Sequence, residues 1–538
     1  MKWLRRRWRA LLLVAAVWPG VPLAERLLDR LWPVPRAALA GFAVAREVLA
    51  ADGTVLRVAT APGGERILPV DMDRLPPQVV HALLASEDRR FFAHGGVDFA
   101  ALARAAVQNL ARGRVVSGGS TLTMQLARIV EPRPRTLLGK AREMLRARQW
   151  ERAMGKEEIL RAYLDLAPFG ANVRGIEAAA RVHYGKPARA LAVDEAATLV
   201  ALLPAPSRRA AQRGRAELHA ARDRVLERMA ACGWLTPEAL GRAQARPVQA
   251  RRRPFPFLAP HAADAALRGS GARVVESSLD LDVQLAVERV VAGHATGVDG
   301  CAVVVLRRSD AALLAMTGAR DARTLPLNAA LRPRCVGSTL KPFLYALALE
   351  QGVIGPDTLL DDTPLEFGQY RPANFDETFA GRVPALRALV ESRNVPAVRL
   401  LRAVGPRSFA GLLDELGAGL DGAELNLDAA LGTLALRPLT LARMYAAFAG
   451  PVPPASLSER SRGPVLAALR ELAPLPGLPE VAWKSGTSSG RKDAWCAGVD
   501  RARVVVVWLG NLDGRGAAEL VGARAGADLL AAVFHALR

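Results

Sequence analysis

The feature that most limits how this chain can fold is a proline-broken basic stretch near its middle, QARPVQARRRPFPFLAP (Gln244–Pro260). Its prolines fix φ and remove backbone donors, so no helix interior or central strand runs through it. The hydrophobic period differs on its two sides. From about Pro76 to Ala245 apolar residues recur at helical spacing, as in Leu137–Met154 and Lys156–Leu166. Beyond the seam, CAVVVLRRSDAALLAMTG (Cys301–Gly318) reads as two strands around a Ser309-Asp310 turn. Arg503–Leu509 (RVVVVWL) reads as a buried strand, and the chain from Ser338 onward as helix. A chain of 538 residues is also too long for one ordinary core. The expectation is therefore a helical domain followed by an α+β domain. An Asp52-Gly53 turn within VAREVLAADGTVLRVAT (Val44–Thr60) predicts a hairpin ahead of both. The expected division is 1–35 basic tail and anchor, 36–70 small β linker, 71–245 helical domain, 246–275 linker and 276–538 sheet domain.

The N-terminus places Lys2, Arg5, Arg6, Arg7 and Arg9 before an apolar run, Ala10–Ala24. Basic residues stay on the cytoplasmic side, so the rest of the chain is expected to be exported. The run is short and broken by Pro19, Gly20 and Pro22, which suits a signal peptide or an anchor by length. The A-x-A-like cleavage site Ala38-Leu39-Ala40 lies far downstream, which favours an uncleaved single-pass anchor. The formal charge of +21 implies an anionic partner. No zinc-finger spacing, RNP motif or repeat supports nucleic acid, which is excluded as a partner. Cys232, Cys301, Cys335 and Cys496 match no metal motif, and pairing of Cys335 with Cys496 stays open.

Three polar clusters mark the second half: Ser338-Thr339-Leu340-Lys341, Ser392-Arg393-Asn394 and Lys484-Ser485-Gly486-Thr487. Alone, Ser338 ahead of an apolar run reads as a helix N-cap, and Asn394 before Val395-Pro396 as a turn. The chemistry joins them. Residues three apart share a helix face, which puts Lys341 within reach of the Ser338 hydroxyl. A desolvated lysine repelled by another cation, here Lys484, can take the serine proton. Gly486 on a strand leaves room for substrate backbone, and Thr487 suits a substrate carboxylate. The Ser338 N–H and one near Thr487 would form an oxyanion hole. This set resembles the penicillin-binding transpeptidases and serine β-lactamases. The resemblance implies an α+β, β-lactamase-like fold. It also implies that Ser338 attacks a D-Ala-D-Ala peptide, that a stem-peptide amine resolves the acyl-enzyme, and that β-lactams trap the same serine.

The helical half carries SEDRRFFAHGGVD (Ser86–Asp98), SGGSTLTMQLAR (Ser117–Arg128) and GKAREMLRARQWE (Gly139–Glu151). Separately they read as a charged helix end, a Gly/Ser loop fit for phosphates or sugars, and a solvated helix. Together, and on through Glu157–Lys186, they resemble the family 51 peptidoglycan glycosyltransferase domain of class A penicillin-binding proteins, over about Pro76–Ser207. That resemblance implies a mostly-α, lysozyme-like fold. It makes Glu87 the base for the acceptor hydroxyl and Glu143 the second acidic residue, orienting pyrophosphate or a divalent cation. Arg128 and Lys140 would face the diphosphate, and Ser120, Thr121 and Gln125 would line the site. Asp88, Phe91 and His94 would hold its shape. This chain departs from the family at Met124-Gln125 (usually Gln-Gln), Arg128 (usually Lys) and Gly139-Lys140 (usually Arg-Lys, so one cation is lost). With DAWCAGV (Asp493–Val499) and YRPANFDE (Tyr370–Glu377), these variants resemble the penicillin-binding protein 1C subgroup. Members of that subgroup usually carry a further C-terminal domain, which is expected to be missing after LAAVFHALR.

The expected function is a bifunctional peptidoglycan synthase on the periplasmic side of the inner membrane. It polymerises lipid II into glycan and cross-links stem peptides. No cofactor is required, with magnesium or manganese optional at the first site. Other expected partners are the nascent glycan, β-lactams, the membrane and further wall-synthesis proteins. The rival reading is a non-enzymatic wall scaffold or β-lactam sensor with one inactive site.

Overall fold

A computed structural model describes residues 20–113, 118–134, 136–206, 215–294, 297–355, 357–366 and 371–538. The basic tail and most of the Ala10–Ala24 run lie outside these residues. Among those described, no helix is long and apolar enough to cross a membrane. The chain forms two compact units. One comprises the residues up to Arg46 together with Val58–Pro256, the other Glu47–Arg57 with Phe257–Arg538. The Gln244–Pro260 seam therefore contains the boundary at 256/257.

The hairpin at Asp52-Gly53 forms, with strands Glu47–Leu49 and Val55–Val58, and the Asp52 carboxylate accepts from the Thr54 amide and hydroxyl. It does not stand as a separate linker. Glu47–Leu49 pairs in parallel with Val274–Glu276 of the second unit, while Arg66–Ile67 pairs with Val173–Arg174 in the first. A lone two-stranded ribbon is marginal in water, and each piece of the expected 36–70 element gains a neighbour this way.

The first unit is helical. Four of its helices begin at a side-chain cap: Asp98 for Phe99–Arg112, Thr121 for Leu122–Val130, Thr136 for Leu137–Ala153 and Thr236 for Pro237–Ala245. In each case the side-chain oxygen satisfies an orphan N–H of the first turn. Val79, Leu83, Leu122, Leu126, Ile159, Tyr163, Leu199 and Leu226 are buried, as is the whole indole of Trp150.

The second unit is built on a five-stranded antiparallel sheet ordered Ala482–Thr487, Asp493–Val499, Arg503–Gly510, Gly300–Arg307 and Leu313–Thr317. The two strands flanking Ser309-Asp310 are the last of these. Val303, Val305, Val505 and Val507 share one core with the helices Leu281–Gly293 and Ala527–Ala536. Their neighbours Val304, Leu306, Val504 and Val506 share another with Phe343, Tyr445 and Phe448. Both faces are covered, which is why RVVVVWL runs apolar without alternation. The strand Ala482–Thr487 is one edge of the sheet.

Candidate active sites

In the first unit the polar motifs meet around the C-terminal end of helix Pro77–Glu87. Gln125 donates to the Glu87 carboxylate at 3.0 Å, and Tyr163 donates to the Gln125 carbonyl at 2.9 Å. Tyr163 is buried, and burial first, then the nearby Glu87 charge, push its phenol well above the usual range. It therefore keeps its hydrogen to donate to the Gln125 carbonyl, while the Gln125 NH2 faces Glu87. Asp88 is buried. Its carboxylate accepts from the Leu122 amide at 2.9 Å and lies 3.0 Å from His94 Nε2. These bonds tie the glutamate-bearing turn to the start of helix Leu122–Val130. Phe91 is buried against His94, with Lys156 Nζ 4.3 Å from its ring centre.

A second cluster lies on helix Leu137–Ala153. Lys140 donates to Ser120 Oγ at 2.6 Å and to the Glu143 carboxylate at 2.8 Å, and Arg128 stands 3.8 Å from the same carboxylate. Two cations thus share one carboxylate, a net positive cluster suited to a diphosphate. It is a poor seat for a divalent cation, because Glu143 is already matched by those cations. Among the described residues no group of three or more His, Cys, Asp or Glu side chains is arranged to hold a metal ion. Thr121 does not line this site. It is buried, caps Leu122–Val130 and donates to the Gly96 carbonyl at 2.6 Å. Gly139 replaces more than a cation: a Cβ there would stand 2.4 Å from the Pro134 carbonyl oxygen.

In the second unit Ser338 sits in a 3-10 turn, Gly337–Leu340, just before helix Lys341–Glu350. Neither the turn nor the helix has a side-chain cap, so the N-cap reading of Ser338 does not hold. Pro342 in the first turn costs the helix no hydrogen bond. Lys341, 1% exposed, donates to the Ser392 carbonyl at 2.7 Å, the Arg393 carbonyl at 3.0 Å and Asn394 Oδ1 at 2.8 Å. Lys484, 2% exposed, donates to Ser392 Oγ and to the Ser485 carbonyl, both at 2.9 Å. Burial first, then the Lys484 charge, hold the Lys341 ammonium well below the ordinary lysine range. Burial brings Lys484 down to about 8. Ser392 reaches both lysines from a backbone at φ +61°.

The role expected of Gly486 changes. A Cβ there would lie 2.4 Å from the Val336 carbonyl and 3.2 Å from the Ser338 amide. The missing side chain lets the edge strand close onto the serine turn, a contact within the protein itself. Thr487 Oγ1 accepts from the Gly522 amide at 3.0 Å, which leaves its hydroxyl hydrogen free to donate. Ser485 contributes its carbonyl to Lys484. All four cysteines are free thiols, so Cys335 and Cys496 are not paired.

Residues 53–230 match the family model described as "Transglycosylase", and residues 300–457 match "Penicillin binding protein transpeptidase domain". Penicillin-binding protein 1C of Escherichia coli is 40% identical over 517 residues, covering 90% of this chain and 67% of the relative. Penicillin-binding protein 1B of Vibrio cholerae is 31% identical, covering 82% of this chain and 65% of the relative. The chain belongs to the class A penicillin-binding proteins. It is a peptidoglycan glycosyltransferase and a serine-type DD-transpeptidase in one polypeptide, and it binds β-lactams. The crystal structure of penicillin-binding protein 1A from Haemophilus influenzae shares the fold, with a TM-score of 0.56 at 17% identity over 92% of both chains. Lys484-Ser485-Gly486-Thr487 lies beyond the matched transpeptidase segment, and the tertiary structure brings it to Ser392.

Reading the sequence missed Tyr163, Asn374 and Asp362. Tyr163 lies within the Glu157–Lys186 stretch, but its phenol reaches Gln125 from 38 residues away. Asn374 lay inside YRPANFDE, which served only as a subgroup mark.

Proposed function

We propose that the first site polymerises lipid II, with Glu87 as the base that deprotonates the acceptor sugar hydroxyl. As the new glycosidic bond forms, the bond from the donor sugar to its lipid diphosphate breaks. Lys140 and Arg128 take up the diphosphate charge. Gln125 and Tyr163 aim the Glu87 carboxylate, and Glu143 keeps the two cations together until the substrate replaces it.

At the second site a neutral Lys341 accepts the proton of Ser338 as the serine oxygen bonds to the D-Ala-D-Ala carbonyl. The peptide C–N bond breaks and the proton leaves on the amine of terminal D-Ala. A stem-peptide amine then attacks the ester, its proton passes back through Lys341, and Ser338 is released. Lys341 spends three donors on three acceptors at rest, so deprotonation must release one of them and free a lone pair. The Ser338 and Thr487 amides stabilise the oxyanion, and Lys484 holds Ser392 beside them.

The observation that carries this reading is the convergence of Lys341, Lys484, Ser392 and Asn394 from three separate segments, next to the turn that bears Ser338. Its 40% identity to the Escherichia coli protein supports a 1C-like reading of the chain. The basic N-terminal sequence supports an inner-membrane location with both units periplasmic. The exposed Phe99, Val107, Leu110, Leu137 and Leu138 of the first unit would then meet lipid. Fluorescent lipid II incubated with the full chain, with and without penicillin, is the test. Expected are glycan polymer in both lanes and cross-linked product only without penicillin. Absence of polymer across detergents and divalent cations would refute the first assignment.

A further inference from the structure

We infer that Asn374, held by Asp362, is a positioning residue for acyl transfer that sets Asn394 and, through it, Lys341. The inference deepens the acyl-transfer reading of Ser338 and rests on it. Asn394 begins helix Asn394–Val404, whose N-cap residue, Arg393, offers no side-chain bond. Asn374, twenty residues upstream and 4% exposed, supplies it instead. Its carbonyl oxygen accepts from the Asn394 amide at 2.7 Å and the Val395 amide at 3.3 Å. Its NH2 donates to Asp362 Oδ1 and to the Thr378 carbonyl, both at 2.7 Å. Both lone pairs and both hydrogens of the amide are therefore used, and only one amide orientation satisfies them.

Asp362 is fully buried. Its other oxygen accepts from the Ala380 amide at 2.9 Å and lies 3.6 Å from the Arg393 guanidinium. The residue before Asn374 completes the clip, since the Ala373 carbonyl accepts from Asn394 Nδ2 at 2.9 Å. With its NH2 fixed on Ala373 and its backbone N–H on Asn374, Asn394 turns Oδ1 toward Lys341 Nζ. Asn394 Oδ1 is the one side-chain acceptor that Lys341 has among the described residues; its other two are the carbonyls of Ser392 and Arg393, in the same loop. All three acceptors of the proton-accepting lysine are thus set by a segment that Asn374 and Asp362 pin. A side chain left loose by even an ångström misplaces the reacting groups. Asn374 touches none of those groups and acts through Asn394.

The test uses the full chain and a fluorescent penicillin, resolving the noncovalent dissociation constant from the acylation rate constant. Wild type must label and Ser338→Ala must not; failure of this arm overturns the acyl-transfer reading and the inference with it. Given that arm, Asn374→Ala should lower the acylation rate constant by about 10- to 100-fold. Its dissociation constant should stay within about twofold, a split that loss of folded protein does not produce. Asn374→Asp should also be slow, because it sets two carboxylates against each other. Adding Asp362→Asn restores one donor and one acceptor between the pair, and the double variant should recover most of the rate. Wild-type acylation in Asn374→Ala overturns the inference. If that variant does not fold, the decision falls to the aspartate pair: a double variant no faster than Asn374→Asp alone overturns it.

Discussion

Lys140 in the first unit and Lys341 and Lys484 in the second are one residue type in opposite surroundings. Lys140 keeps 32% of its side chain exposed and sits on a carboxylate, with an arginine sharing that partner. Lys341 and Lys484 are buried and bond only to carbonyls, an amide and a hydroxyl. A half-exposed lysine paired with a carboxylate is a cation ready to exchange that partner for a phosphate. A buried lysine without a carboxylate, facing a second ammonium, is pushed toward the neutral amine that a serine proton requires. The two reactions need opposite protonation states, and burial separates them more than sequence motif does.

The largest expected effects test whether the two sites are independent. Glu87→Gln should reduce glycan polymerisation by at least about 100-fold, the scale of a lost general base, and leave penicillin labelling intact. Ser338→Ala should abolish labelling and cross-linking while polymer still forms. Loss of both activities in either variant, scored on one gel, would break the comparison.

The contrast between the lysines sharpens with pH. The folded value of Lys484, about 8, lies below the ordinary 10.5. Between those values the unfolded chain binds more protons than the folded one, so stability rises with pH across that window. The Lys341 shift has the same direction and adds to the rise. The melting temperature of wild type relative to Lys484→Met should therefore climb from about pH 8 to 10.5. A flat difference would mean the lysine titrates as though exposed.

Gly139 offers a smaller test. If the site merely lacked a cation, Gly139→Arg would raise polymerisation. The Pro134 carbonyl stands where its Cβ would go, so the substitution should instead cost about 1–3 kcal/mol of stability through overpacking, read as a lower melting temperature. Smallest is Thr121→Val, which removes a helix cap in the first unit. It should cost about 1 kcal/mol in chemical denaturation, with acylation at Ser338 unchanged.

Much of this was legible before any coordinates. The seam at Gln244–Pro260, the hairpin around Asp52-Gly53 and the strands at Cys301–Gly318 and Arg503–Leu509 are written in turn residues and local period. Their physics acts over a few positions. The partner of the hairpin was not legible, because Val274–Glu276 lies more than two hundred residues away. Nor was the fate of Ser338 as a cap, which turned on a 3-10 turn inserted before Lys341. Gly486 is similar. Its motif marks it as small, but only the approach of Val336 and Ser338 says what the space is for.

The sequence by itself determined the two kinds of domain, the candidate reacting side chains and the family to which the chain belongs, since those follow from residue type and order. Only the tertiary structure decided which lysine is paired and which is starved of a carboxylate. It also decided that Glu143 already carries two cations, and that Asn374 and Asp362 pin the loop that Lys341 leans on. Protonation and orientation depend on burial and on partners distant in the chain, and neither is encoded in local spacing.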